Sequence, residues 1–136
     1  MAFAPRVPWP RRVQVEGSSM APALAPGDRL LVMPLGRPRV GDIVAVPDPR
    51  DPGRMLVKRV VAADSRRRLL SVEGDNRTAS TDSRTFGPVS CDDVLGRAVY
   101  RYSPSSRAGR VRRAVQRSAG GAERSAGGAE RYDQRE

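Results

Sequence analysis

Lys58 is the residue whose type and placement point most directly to chemistry. The 136-residue chain carries 25 basic residues, and Lys58 is the one lysine among them. It lies inside an apolar run, Met55-Leu56-Val57-Lys58-Arg59-Val60-Val61-Ala62. Arginine and lysine serve equally as solvated positive charge, but arginine keeps its proton in a protein. A lysine shielded from water can release its proton and act as a general base. The chemistry that follows is proton abstraction from a nucleophile, with a hydroxyl as the natural partner.

The composition removes competing chemistries. There is no histidine, which excludes Ser-His-Asp and Cys-His catalysis and most zinc sites. The lone cysteine, Cys91, cannot form an internal disulfide and reads as a small packing residue. No metal and no cofactor are expected. The length suffices for one domain with a modest core. Net charge is +10, but its distribution is uneven: residues 1–12 carry +3, residues 104–136 carry +4, and the 91 residues between them only +3. The excess in the flanking arms reads as solvated charge, so no nucleic-acid partner is expected. Aromatic residues make up 4% of the chain, too few for a base-stacking platform.

The elements that must position Lys58 are short β-like runs punctuated by Pro and Gly. They are Val13-Gln14-Val15-Glu16, Asp28 to Leu35, Asp42 to Val46, Met55 to Ala63, Leu69 to Glu73 and Val94 to Tyr102. This spacing predicts a mostly β, antiparallel domain over residues 13–103, preceded by a basic arm, 1–12, and followed by a basic low-complexity tail, 104–136. Ser103 to Arg117 is expected to form a short basic helix. The tandem repeat Arg117-Ser118-Ala119-Gly120-Gly121-Ala122-Glu123, Arg124-Ser125-Ala126-Gly127-Gly128-Ala129-Glu130 reads as disordered. Strand alternation places Lys58 on the face of Leu56, Val60 and Ala62, where its ammonium would be desolvated. Lowering its pKa from ~10.4 to ~8 requires about 3 kcal/mol of differential destabilisation.

The nucleophile candidate is Ser19, 39 positions before the lysine in Gly17-Ser18-Ser19-Met20-Ala21-Pro22-Ala23-Leu24. Two further boxes follow: Gly74-Asp75-Asn76, and Ser80-Thr81-Asp82-Ser83-Arg84 leading to Phe86-Gly87-Pro88-Val89. Together with Lys58-Arg59-Val60, in this order and covering most of residues 13–102, they resemble the type I signal peptidase family of Ser/Lys proteases, whose β fold is similar to that of self-cleaving SOS repressors. The resemblance implies Ser19 as nucleophile, Lys58 as general base and Ser80 as the hydroxyl that orients the lysine amine. It assigns Asp82 and Arg84 to structuring that loop and Gly74, Asp75 and Asn76 to the turn that delivers it. Some family members have a serine where this chain has Gly17, so the oxyanion would be held mainly by the backbone N–H of Ser19, with Gly17 allowing close substrate approach.

No stretch reaches the ~18 consecutive apolar residues that a membrane span needs, and the 18 residues before Ser19 contain no signal-like apolar run. A cytoplasmic protein with at most peripheral membrane contact is expected. This soluble character makes the chain resemble one branch of the family, the maturation proteases of nickel-type superoxide dismutase, and implies a precursor of that dismutase as substrate. Two readings stand beside it. One is a general leader peptidase for exported proteins. The other is a non-enzymatic basic module that binds nucleic acid through its arms, with salt-dependent affinity. A self-cleaving repressor would need a DNA-binding domain before the serine, for which the expected layout has no room.

Overall fold

The computed structural model describes residues 10–34, 36–79 and 83–114. Among them the chain forms one eight-stranded sheet. Its strands are β1 (Arg11–Gln14), β2 (Arg29–Met33), β3 (Ile43–Asp48), β4 (Asp51–Asp64), β5 (Leu69–Glu73), β6 (Val89–Ser90), β7 (Gly96–Ser103) and β8 (Gly109–Arg110). The order across the sheet is β1-β2-β7-β3-β4-β5-β6, with β8 paired to β7, and every pairing is antiparallel. Helical structure among the described residues is limited to α1 (Ser83–Phe86) and three 3-10 turns. No helix among the described residues is long and apolar enough to cross a membrane. The duplicated repeat and Leu35 lie outside the described residues, as do residues 1–9.

β3 explains why Ile43-Val44-Ala45-Val46 is apolar without alternation. The strand lies between β7 and β4, and both of its faces are covered. Ile43 and Ala45 join a first core cluster with Val15, Met20, Leu24, Leu30, Val32, Val57 and Ala98. Val44 and Val46 join a second one with Leu56, Val60, Leu70, Val72, Val89 and Val94.

The β3–β4 hairpin closes on Asp48-Pro49-Arg50-Asp51, with Asp48 opposite Asp51. Proline and aspartate suit such a turn, because the first presets φ and the second accepts from the backbone two residues on. Regular pairing resumes at Met55 opposite Pro47, so Pro52 and Gly53 sit in an irregular stretch where a missing N–H does no harm. A second irregularity falls at Val61: Val60 pairs with Val72, but Ala62 pairs with Ser71. The extra residue reverses the alternation beyond it. Ala63, not Ala62, therefore packs against the second core, so Ala62 does not share the face of Leu56 and Val60 as simple alternation predicts.

The segment expected to be a basic helix is not one within the described residues. Residues 105–107 form a 3-10 turn, residues 109–110 form β8, and residues 111–114 then continue along the domain without regular secondary structure. Two of the segment's arginines, Arg107 and Arg113, are counter-ions for buried carboxylates. Asp28, fully buried, receives the guanidinium of Arg107, that of Arg101 at 3.2 Å, and the Ala25 N–H. Asp42, 2% exposed, receives Arg113 Nε at 3.1 Å and the Arg39 N–H at 2.8 Å.

Asp48 follows the same rule with Arg50, which donates its N–H and Nε to Oδ1 and its Nη2 to Oδ2. That side-chain hydrogen bond holds the Asp48 carboxyl below the ordinary carboxylate range, outweighing the opposite push of burial. A folded-state pKa below the unfolded value of ~3.9 makes the contribution complete above that pH. It is lost as pH falls through the lowered value. Asp48→Asn should therefore lower the urea midpoint at neutral pH, and the gap to the parent protein should close progressively below about pH 4.

Candidate active site

Residues 17–24 form a compact turn between β1 and β2, and the spacing of the motif accounts for its shape. Gly17 has φ +75°, a conformation that L side chains rarely adopt, and the space where a Cβ would stand is open. The Ala21 N–H donates to the Ser18 carbonyl at 3.1 Å and the Leu24 N–H to the Met20 carbonyl at 2.9 Å. Met20 and Leu24 are buried in the first core. The apolar positions of the motif are thus anchors, and Ser19, half-buried, stands between the left-handed glycine and the first anchor. Among the described residues no hydrogen bond holds the Ser19 N–H.

Lys58 lies mid-strand in β4, opposite Val44 of β3, and is 3% exposed. Leu56, Val57 and Val60 around it are buried as well. By alternation it stands in the row of Leu56 and Val60, at the margin of the second core. An ammonium there has lost most of its water, which disfavours the charged form.

The loop after β5 joins the serine turn to the lysine strand. Arg59, the residue after Lys58, makes a two-pronged ion pair with Asp75, Nε to Oδ1 at 3.1 Å and Nη2 to Oδ2 at 2.6 Å. Its remaining Nη1 donates to the Gly41 carbonyl at 2.9 Å. Next to Asp75, the Asn76 N–H donates to the Ser19 carbonyl at 2.8 Å and Asn76 Nδ2 to the Ser18 carbonyl at 3.2 Å. Three boxes far apart in sequence are thereby brought into one hydrogen-bonded assembly. Asp75 and Asn76 do more than turn the chain, since Asn76 holds the nucleophile candidate's backbone and Asp75 holds β4 through Arg59.

Ser80 and Asp82, two residues of the predicted site, lie outside the described residues. Arg84, on α1, donates Nη2 to the Arg77 carbonyl at 3.2 Å. Phe86, at the end of α1, packs on the second core, and the Arg50 guanidinium sits 5.7 Å from its ring centroid. Cys91 also packs there, and burial pushes its thiol pKa up, away from the thiolate a nucleophile needs. Sequence reasoning missed Arg59 and Gly41 as positioning groups. Arg59 was visible inside the lysine box and Asp75 inside the next, but the pairing of two residues 16 apart depends on how β4 and β5 register.

Residues 1–65 and 68–103 match the family described as signal peptidase, peptidase S26. Relatives include the mitochondrial ATP-independent inner membrane protease subunit 1a of Arabidopsis thaliana, 36% identical over 123 residues that cover 72% of this chain and 73% of the relative. The mitochondrial inner membrane protease subunit 2 of Danio rerio is 35% identical over 126 residues, covering 75% and 69%. Subunit 1 of the human mitochondrial inner membrane protease is 30% identical over 122 residues, covering 74% of each.

The Arg59–Asp75 pair is half-buried, with side chains 13% and 23% exposed, so its loss should be felt beyond the surface. A double-mutant cycle with Arg59→Ala and Asp75→Ala, read by urea denaturation, should give a coupling on the order of 1–2 kcal/mol. Simple additivity would mean that the two groups do not act as one clamp.

Proposed function

The chain belongs to the signal peptidase family, peptidase S26, and from that premise we propose that it is a serine endopeptidase that removes N-terminal leader peptides, with Ser19 as nucleophile and Lys58 as general base. The observation that carries this reading is the burial of the chain's one lysine, 3% exposed, on the strand that Arg59, Asp75 and Asn76 tie to the Ser19 backbone. Burial favours the neutral amine that a base must be.

In this mechanism the Ser19 Oγ attacks the scissile carbonyl carbon while its proton passes to the Lys58 amine. The oxyanion accepts a hydrogen bond from the Ser19 N–H, which no protein group engages among the described residues. The ammonium returns the proton to the departing amine, the C–N bond breaks, and an ester on Ser19 remains. Water then attacks this ester, again giving a proton to Lys58, and the serine is restored. Ser80 would orient the amine through its hydroxyl, with Asp82 and Arg84 shaping that loop. Gly17 would leave room for the substrate backbone.

The substrate assignment changes from the sequence-based one. The named relatives are inner membrane proteases and lend no support to a nickel-type superoxide dismutase precursor or to a cytoplasmic setting. They favour a general leader peptidase that meets its substrates at a membrane surface. Family membership likewise favours a protease over a basic nucleic-acid-binding module.

Mass-spectrometric mapping of products from an Ala-x-Ala leader peptide and from a leader-bearing nickel superoxide dismutase precursor tests the proposal. One cleaved bond in the leader peptide, lost in Ser19→Ala and Lys58→Ala, is the expected result. Cleavage of the dismutase precursor alone would restore the narrower assignment, and cleavage of neither would remove the protease reading. Lys58→Arg keeps the charge but cannot take the proton, so turnover should fall by on the order of 10⁴-fold with the fold retained. A deprotonated amine is the active form, so activity should rise with pH through an apparent pKa below the ~10.4 of free lysine. A flat profile across neutral and alkaline pH would rule out a titrating base.

A further inference from the structure

We propose that residues 111–114, on the C-terminal side of β8, are a positioning strap for the active site, acting through Gly41 and Arg59. The inference rests on the proposed roles of Ser19 and Lys58, but its physical content can be tested without them. The path consists of consecutive contacts. The Ala114 N–H donates to the Gly41 carbonyl at 3.0 Å, and Arg113 Nε donates to the Asp42 carboxylate at 3.1 Å. The same Gly41 carbonyl accepts from Arg59 Nη1 at 2.9 Å, so its two acceptor sites are shared by the strap and the clamp. Arg59 then holds Asp75, and Asn76 holds the Ser19 carbonyl.

The junction is tight. Gly41 has φ +98°, and a Cβ there would come within 2.6 Å of both the Ala114 carbonyl oxygen and Arg113 Cγ. Only glycine lets the strap lie so close to the turn. The turn is fixed from its other side by the Gly41 N–H to the Val60 carbonyl and the Val60 N–H to the Asp42 carbonyl, both at 2.8 Å. These bonds fall two residues beyond Lys58 on β4. Asp42 is 2% exposed, and its other cation, Arg97, stands 3.9 Å away. A buried carboxylate deprived of Arg113 would be under-compensated, and the turn that carries it would have to shift. Arg59 would follow the Gly41 carbonyl, and the Ser19 turn would lose its register with β4. Small misplacements of a nucleophile act on turnover more than on substrate affinity.

The test uses full-length chains carrying Arg113→Ala, Ala114→Pro, which deletes the N–H, and Arg113→Lys as the conservative rescue. Arg107→Ala is the control, because it loosens the same C-terminal segment at Asp28, away from the Gly41 junction. Leader-peptide cleavage should lose about 10-fold or more in kcat for Arg113→Ala and Ala114→Pro, with KM within about 2-fold. Arg113→Lys should recover part of the loss, and Arg107→Ala should lower Tm while leaving kcat near the parent value. Independently of activity, amide hydrogen exchange at Asn76, whose N–H is bonded to Ser19, should speed up in Arg113→Ala but not in Arg107→Ala. A variant that loses stability yet keeps parent kcat and parent Asn76 exchange would reduce the strap to a structural role and overturn the proposal. If the parent protein cleaves no leader peptide, the proposed function fails and the exchange at Asn76 alone decides the coupling.

Discussion

One guanidinium holds the candidate site together. Arg59 carries a rigid planar fork, two prongs of which match the Asp75 carboxylate while the third nitrogen reaches the Gly41 carbonyl. It follows Lys58 directly on β4, so any force that fixes its position also fixes the lysine's strand against the loop that holds Ser19. A lysine at position 59 would supply charge without this geometry. In the proposed mechanism the neighbours divide two tasks that need different cations, with arginine for permanent directional bonding and lysine for a proton that can leave.

The same directional bonding accounts for part of the arginine-rich composition. Asp28, Asp42 and Asp48 are all buried, and each is paired to arginine side chains. Burying a carboxylate without such partners would cost several kcal/mol. Part of the basic excess after residue 104 is consumed in this way, since Arg107 and Arg113 reach back to Asp28 and Asp42. A segment that looks by composition like a solvated arm is therefore bound to the β domain over residues 105–114.

The sheet gives these pairs a frame. β3 is covered on both faces and separates two cores, one of which anchors the serine turn through Met20 and Leu24 while the other borders Lys58. The loop after β5 bridges the two. The residues that match the signal peptidase family run from 1 to 103 with a two-residue break. The strap that follows, at 111–114, lies beyond that match.

Much of this was legible in the residues themselves. Short β-branched runs between Pro and Gly determined an antiparallel β domain, and the starts of β2, β3 and β5 fall within a residue of their sequence signals, because pleated strands and turn formers are local preferences. The spacing Gly17-Ser18-Ser19-Met20, the isolated Lys58 and the Gly74-Asp75-Asn76 box marked the candidate site, since each is a short string with its own chemistry. What the sequence could not decide was the alternation beyond Val61, the non-helical path of residues 108–114 against the β domain, and the pairing of Arg59 with Asp75 and Gly41. Each depends on long-range register: a bulge shifts every later side chain to the other face, and a buried carboxylate recruits whichever arginine the fold brings near. Only the tertiary structure settles those choices, because strand register and the burial of charge bring together groups that lie far apart along the chain, and a buried carboxylate left without its arginine is costly.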